Sequence, residues 1–331
     1  MNKIKKIGLS ALAGTLASLS AQAGEMSVSG TAELTYVQRH SNEVTGNPLG
    51  QKKNVSFSGS GELDNGWTVS ILHVMTDAMS GMSSSSMTIG MGSLGSVSYD
   101  SGTGGYGLNA IDNVVPIAFE EADYGFSTGM VDAGTVVSNT GSLHWKLPEV
   151  ISGLALEAGY TPRGGQAAVA DGGSGGEGGS DRGYEFTAQL SPEMLPGLKI
   201  GGGFGDLENG GTIHDKDREE QTMFATYAFG PLSVGYQWTE DDDNSSTQYT
   251  TDVYGASFNV NDVFSISYQY GETEYDKTTA GADVTAEFEG ISAAYNIGPM
   301  AIKFTHNEGK NYNGTSGKND ENRELNLSMS F

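Results

Sequence analysis

Leu232-Ser233-Val234-Gly235-Tyr236-Gln237-Trp238 and Phe264-Ser265-Ile266-Ser267-Tyr268-Gln269-Tyr270 alternate, residue by residue, between apolar and small or polar side chains. Successive side chains of a β-strand point to opposite sides, so this period of two specifies strands with one greasy and one wet face. The same rhythm runs outward in both directions. Met26, Val28, Gly30, Ala32, Leu34 and Tyr36 interleave with Ser27, Ser29, Thr31, Glu33 and Thr35; Val55 to Leu63 repeats it; and Leu143, Trp145 and Leu147 alternate with His144 and Lys146. Asp64-Asn65-Gly66 makes a tight turn between two such stretches.

The connections alternate as well. Short ones fall at 64–66, 93–95, 147–153, 191–197, 230–231, 261–262 and 298–299, and long polar ones near 40–53, 76–85, 101–136, 161–183, 206–220, 240–250, 274–286 and 308–322. Seven short and eight long connections imply 16 antiparallel strands with turns at one end and loops at the other, the arrangement of an outer-membrane β-barrel. Hydrocarbon offers backbone groups no partner, so such a sheet must close on itself. Trp67, Tyr99, Trp145, Phe229, Trp238 and Phe331 fall near strand ends, where aromatic girdles belong. A soluble sandwich would need apolar inner faces without such consistently polar partners.

Composition agrees with this reading. Only 37% of the 331 residues are hydrophobic, which is thin for a compact enzyme and natural for a barrel whose inner face is wet. With no cysteine there is no disulfide or thiolate metal site, and a net charge of −24 argues against nucleic acid as a partner. Lys3, Lys5 and Lys6, a short apolar core from Ile7 to Leu19 and Ala21-Gln22-Ala23 read as an export signal over 1–23 with cleavage near Ala23, leaving a barrel domain over 24–331. The mature chain then keeps 14 basic and 41 acidic groups.

Val28-Ser29-Gly30-Thr31-Ala32-Glu33-Leu34-Thr35-Tyr36, Gly61-Glu62-Leu63-Asp64-Asn65-Gly66-Trp67, Gly95-Ser96-Val97-Ser98-Tyr99 and the closing Glu324-Leu325-Asn326-Leu327-Ser328-Met329-Ser330-Phe331 resemble the trimeric general porins of Gram-negative bacteria. The resemblance covers about residues 26 to 331. It implies a homotrimer among outer-membrane lipid and lipopolysaccharide, a terminal Phe331 serving as assembly signal, and a long third loop, here about Ser101 to Val136, folded into the lumen. By the resemblance that loop carries the pore constriction on Glu120, Glu121 and Asp123, with Val114-Val115-Pro116-Ile117-Ala118-Phe119 pinning it to the wall. The family usually opposes an acidic loop with clustered arginines and lysines. Here the inward-parity cations are Arg39, Lys52, Lys146, Lys199 and Lys303, and the inward acids are Glu33, Glu62, Asp100, Glu157, Glu185 and Glu324. The expectation is therefore a passive channel for small hydrophilic solutes that prefers cations. The alternative is a barrel acting in adhesion or as a receptor through its acidic loops.

Other motifs carry less. Gly102-Thr103-Gly104-Gly105-Tyr106-Gly107 matches a dinucleotide fingerprint but no amphipathic helix follows it. Asp241, Asp243, Ser245 and Asp252 approximate a calcium loop without its glycine and final Glu, leaving only loose divalent-cation binding at acidic loops, together with lipopolysaccharide, and no cofactor. His40, His73, His144, His214 and His306 are scattered, so neither a metal centre nor a catalytic triad is expected. Gly172 to Ser180 reads as a loop tip.

Overall fold

The computed structural model describes residues 23–76, 84–134, 137, 140–163, 181–208, 217–242, 247–277 and 281–331. The export-signal segment 1–22, the tip 172–180, His214, Asp243 and Ser245 lie outside them. Sixteen strands form one closed barrel in which each pairs with its sequence neighbours and the last pairs with the first. They are β1 (Ala23–Ser41), β2 (Leu49–Glu62), β3 (Thr68–Thr76), β4 (Ser84–Gly90), β5 (Ser96–Ser101), β6 (Thr140–Lys146), β7 (Leu154–Thr161) and β8 (Gly183–Leu190). The second half comprises β9 (Leu198–Leu207), β10 (Arg218–Phe229), β11 (Leu232–Asp242), β12 (Thr247–Asn261), β13 (Phe264–Lys277), β14 (Val284–Ile297), β15 (Met300–Lys310) and β16 (Asp320–Ser330). Among the described residues no helix is long and apolar enough to cross a membrane.

Register follows from the alternation, because a slip by one residue would exchange the two faces of a strand. On β11 the polar set Gln237, Thr239 and Asp241 is buried toward the barrel interior, while Leu232, Val234 and Tyr236 stand on the outer wall. The seam is closed by β1 and β16, paired from Thr31↔Ser330 to Ser41↔Asp320. Phe331 extends it, since Gly30 N donates to Phe331 O at 2.9 Å and Phe331 N to Gly30 O at 3.0 Å. The Phe331 ring lies over Gly30, where a Cβ would come within 2.7 Å of the ring. An aromatic side chain thus covers a glycine that leaves the outer wall bare at the seam.

Several of the long connections are shorter than the sequence suggests, although the one expected over 101–136 runs on to Thr140, where β6 begins. The one expected over 240–250 begins after Asp242 and ends before Thr247, and that over 274–286 shrinks to 278–283. Strand pairing continues past the level where outward residues turn polar, as at Glu240↔Thr250 and Glu272↔Glu287. Backbone hydrogen bonding needs no apolar face, so hairpins rise beyond the point at which the alternation fades.

Candidate functional site

The connection between β5 and β6 lies inside the barrel. Its root is fixed by Asp100, whose carboxylate accepts from Thr103 N at 3.0 Å and Gly104 N at 3.4 Å. Gly107 N then donates to Glu157 Oε1 at 2.8 Å, and Leu108 and Ile111 pack with Ala133 and Phe224 in a small internal core. Gly203 makes room there, since a Cβ on it would stand 2.8 Å from Leu108 Cδ2. Beyond this point the loop is held by its own main chain against polar wall residues. Val114 N donates to Gln237 Oε1 at 3.2 Å, Ala118 N to Ser267 Oγ at 2.9 Å, Phe119 N to Ser292 Oγ at 3.1 Å and Ala122 N to Gln269 Oε1 at 2.7 Å. Asn307 Nδ2 donates to Glu121 O at 2.9 Å and Tyr124 O at 3.0 Å. The return leg is fixed by Gly134 N donating to Glu220 Oε2 at 2.7 Å.

The expected apolar pinning is therefore partial. Val115 is buried in a cluster with Phe288 and Tyr312, but most of the attachment is hydrogen bonding from wall to backbone. A loop inside a water-filled lumen needs partners for its N–H groups, and the inward polar face of each strand provides them.

Between this loop and the strands at the seam lies a cavity of about 520 Å³. Glu120, Glu121, Asp123 and Asp132 border it from the loop, and Arg39 and Glu324 from β1 and β16. Five carboxylates thus share one space with a single guanidinium, and Arg39 is already engaged with Glu43 at 2.9 Å. Burial raises the Glu121 carboxyl to about 7, reinforced by repulsion from Asp123. Burial likewise raises Asp112, on the same loop, to about 6. Glu120 is raised by burial and by Glu324, an effect opposed by Lys52 and Lys303. Asp123 and Asp132 are also pushed up by burial, Asp132 with added repulsion from Asp123. These five loop carboxyls hold a proton more tightly than free ones do, chiefly because burial dehydrates the charged form.

The remaining sequence-derived candidates scatter around the wall. Glu33 faces Lys52 in register and accepts from Asn326 Nδ2 at 3.0 Å. Lys52 donates to Tyr124 Oη at 3.0 Å, and Lys303 lies 5.0 Å from the Phe119 ring centre, so both cations touch the loop. Glu62 is exposed beside the Asp64–Gly66 turn. Lys146 sits between Ser96 and Glu157 in register, and Lys199 lies 5.8 Å from the Phe224 ring centre. Asp100, Glu157 and Glu185 are on inward positions but lie beneath the loop root. Asp123 borders the cavity while its Oδ2 accepts from Met130 N at 2.8 Å, so part of the carboxylate serves the loop itself. Asp132 was not among the candidates; it lies in the same loop as the Glu120–Asp123 group but nine residues beyond it, and only the return leg brings it back.

Two weak motifs resolve structurally. Asp241 faces inward in an ion pair with Arg218 at 2.6 Å, whereas Asp252 faces outward and accepts from Tyr236 Oη at 2.5 Å, so they do not share a calcium loop. Only a single 3-10 turn, Gly107–Ala110, follows the glycine-rich stretch.

The sequence model described as Gram-negative porin matches residues 8–330. Comparison with curated proteins gives no significant match. Solved structures share the fold at low identity. Salmonella typhi OmpF, in complex with daunomycin, superposes with a TM-score of 0.69 at 12% identity, covering 94% of this chain and 99% of that one. An anion-selective porin from Comamonas acidovorans gives 0.63 at 14%, covering 93% and 99%. A Vibrio cholerae OmpT lacking its loop L8 gives 0.64 at 12%, covering 93% and 100%.

Proposed function

The chain belongs to the Gram-negative porin family and forms an outer-membrane β-barrel channel, and from that premise we propose that it passes small hydrophilic solutes by passive diffusion and prefers cations. The observation that carries the preference is the cavity where five carboxylates meet one arginine. Lys52 and Lys303 temper Glu120 from the wall without balancing that excess. A water-filled constriction of one predominant sign concentrates counter-ions and repels co-ions. Fold alone does not set the sign, since an anion-selective porin shares it, so the argument rests on these side chains. Glu120, Glu121 and Asp123 act as the constriction, with Asp132 and Glu324 completing it. Assembly as a homotrimer surrounded by lipopolysaccharide, with divalent cations held loosely at acidic loops, accompanies this reading.

Planar-bilayer recording tests it. Purified protein should give stepwise openings, and liposomes containing it should release small neutral sugars. Protein that inserts and yields no current would sink the channel reading and favour an adhesive or receptor role.

A further inference from the structure

Beneath the loop root, away from the cavity, ionisable side chains from four adjacent strands converge: Asp100 from β5, His144 from β6, Glu157 from β7 and Glu185 from β8. His144 Nδ1 stands 3.6 Å from Glu157 Oε1 and 3.5 Å from Glu185 Oε1, and the His144 and Glu185 side chains are 3% and 2% exposed. Nε2 is taken by Ser142 Oγ at 2.9 Å. His144 Nδ1 and Glu185 Oε1 make no hydrogen bond. A buried imidazole nitrogen thus faces two carboxylate oxygens just beyond hydrogen-bond length.

The loop rests directly on this cluster. The Tyr106 ring stacks on His144 with centroids 4.9 Å apart and planes 21° apart. Gly107 N donates to Glu157 Oε1, and a Cβ on Gly107 would collide with the Glu185 carboxylate.

We propose that the His144, Glu157 and Glu185 cluster is a proton-operated latch: one proton shared between His144 Nδ1 and the two carboxylates holds the root of the internal loop to the wall, and its loss loosens the root. With Nε2–H donating to Ser142 Oγ, the shared proton sits on a carboxyl oxygen and is donated to Nδ1, which removes one of the two buried carboxylate charges. Without it, two buried carboxylates and an unprotonated nitrogen face one another, and the strain falls on Tyr106 and Gly107. Of the surrounding charges, Asp100 and Glu220 are engaged elsewhere, and Lys146 is a cation beside Glu157. Asp100 accepts from Thr103 and Gly104, Lys146 lies one inward position along β6 beside Glu157, and Glu220, across the Gly205 rung of β9, pairs with Arg218 at 3.1 Å.

The latch concerns how the loop is attached and rests on the channel reading only for its effect on current, so its test avoids current. Hydrogen–deuterium exchange of the intact barrel in detergent micelles, corrected for intrinsic rates, is followed over peptides covering residues 103–111 from pH 8.5 to pH 5. Exchange should slow on acidification by up to about tenfold per pH unit, the limit for one linked proton. His144→Gln should abolish that slope, and Glu185→Gln should abolish it too, with the root protected throughout. Heat-dependent gel migration confirms that each variant barrel has folded, and the wild-type slope stands without any variant. A flat wild-type profile, a slope retained in His144→Gln, or a slope removed by chelators would each overturn the latch. Absence of current in bilayers would bear on the channel reading and leave this result untouched.

Discussion

Acidification from pH 8 to pH 5 should weaken the channel's cation preference well above the usual carboxylate range. Glu121 titrates at about 7 and Asp112 at about 6, both raised chiefly by burial. A carboxylate is charged above its own pKa, so preference is complete above pH 8 and is lost as pH falls through this window. Together the two groups carry about 1.9 charges at pH 8 and roughly 0.1 at pH 5. A unit charge about 8 Å from a passing ion is worth ~0.5 kcal/mol in bulk water and ~2 kcal/mol at an effective dielectric of about 20. Each charge lost should therefore lower cation permeation by roughly two- to thirtyfold and raise that of anions correspondingly, so the ratio between them falls by more than either. The assay is the zero-current potential in a potassium chloride gradient at low ionic strength, where screening is weakest, recorded at half-unit pH steps. Glu121→Gln should remove the upper part of the transition and leave the lower part near pH 6. A ratio constant from pH 8 to pH 5, or a single transition near pH 4, would refute the claim that these buried loop carboxylates set selectivity.

Other outcomes follow from the same contacts. Glu120→Gln combined with Glu121→Gln should lower cation preference at pH 8, measured as reversal potential; no change would mean that neither residue faces the path of ions. Asn307→Leu removes a donor to the carbonyls of Glu121 and Tyr124, which keep Tyr124 N and Asn322 Nδ2 as partners, so each lost bond costs about 0.5–1.5 kcal/mol; the loop should become more readily cleaved by added protease and open-channel noise should rise, while the barrel survives. Gly30→Leu drives a side chain into the Phe331 ring and should destabilise seam closure by about 1–3 kcal/mol, read as a lower midpoint in heat-dependent gel migration; an unchanged midpoint would show that the ring can relocate freely.

The strands were legible because lipid imposes a strict demand. Outward residues facing hydrocarbon are predominantly apolar, so Leu232, Val234 and Tyr236 mark the lipid-facing side of their strand. The barrel's closure and the 16 strands followed from that demand and from the turn spacing. Loop ends were less legible, since Glu240 and Glu272 face outward above the bilayer, where pairing continues and polarity no longer alternates. The course of the internal loop was hidden for a different reason. Its anchors, Gln237, Ser267, Gln269, Ser292 and Asn307, have the same neutral polar character as any lumen residue, and nothing in their spacing separates an anchor from a wetted wall. The acidic character of Glu120, Glu121 and Asp123 was plain in the sequence. Their meeting with Asp132 and Glu324 depends on the loop's return leg and the β16 register, which are tertiary facts.

The sign of the zero-current potential across a bilayer holding the purified protein, in a tenfold potassium chloride gradient at pH 8, tests the central claim most directly. The carboxylate-lined cavity predicts the sign of potassium passing in preference to chloride. A potential of the opposite sign would contradict it.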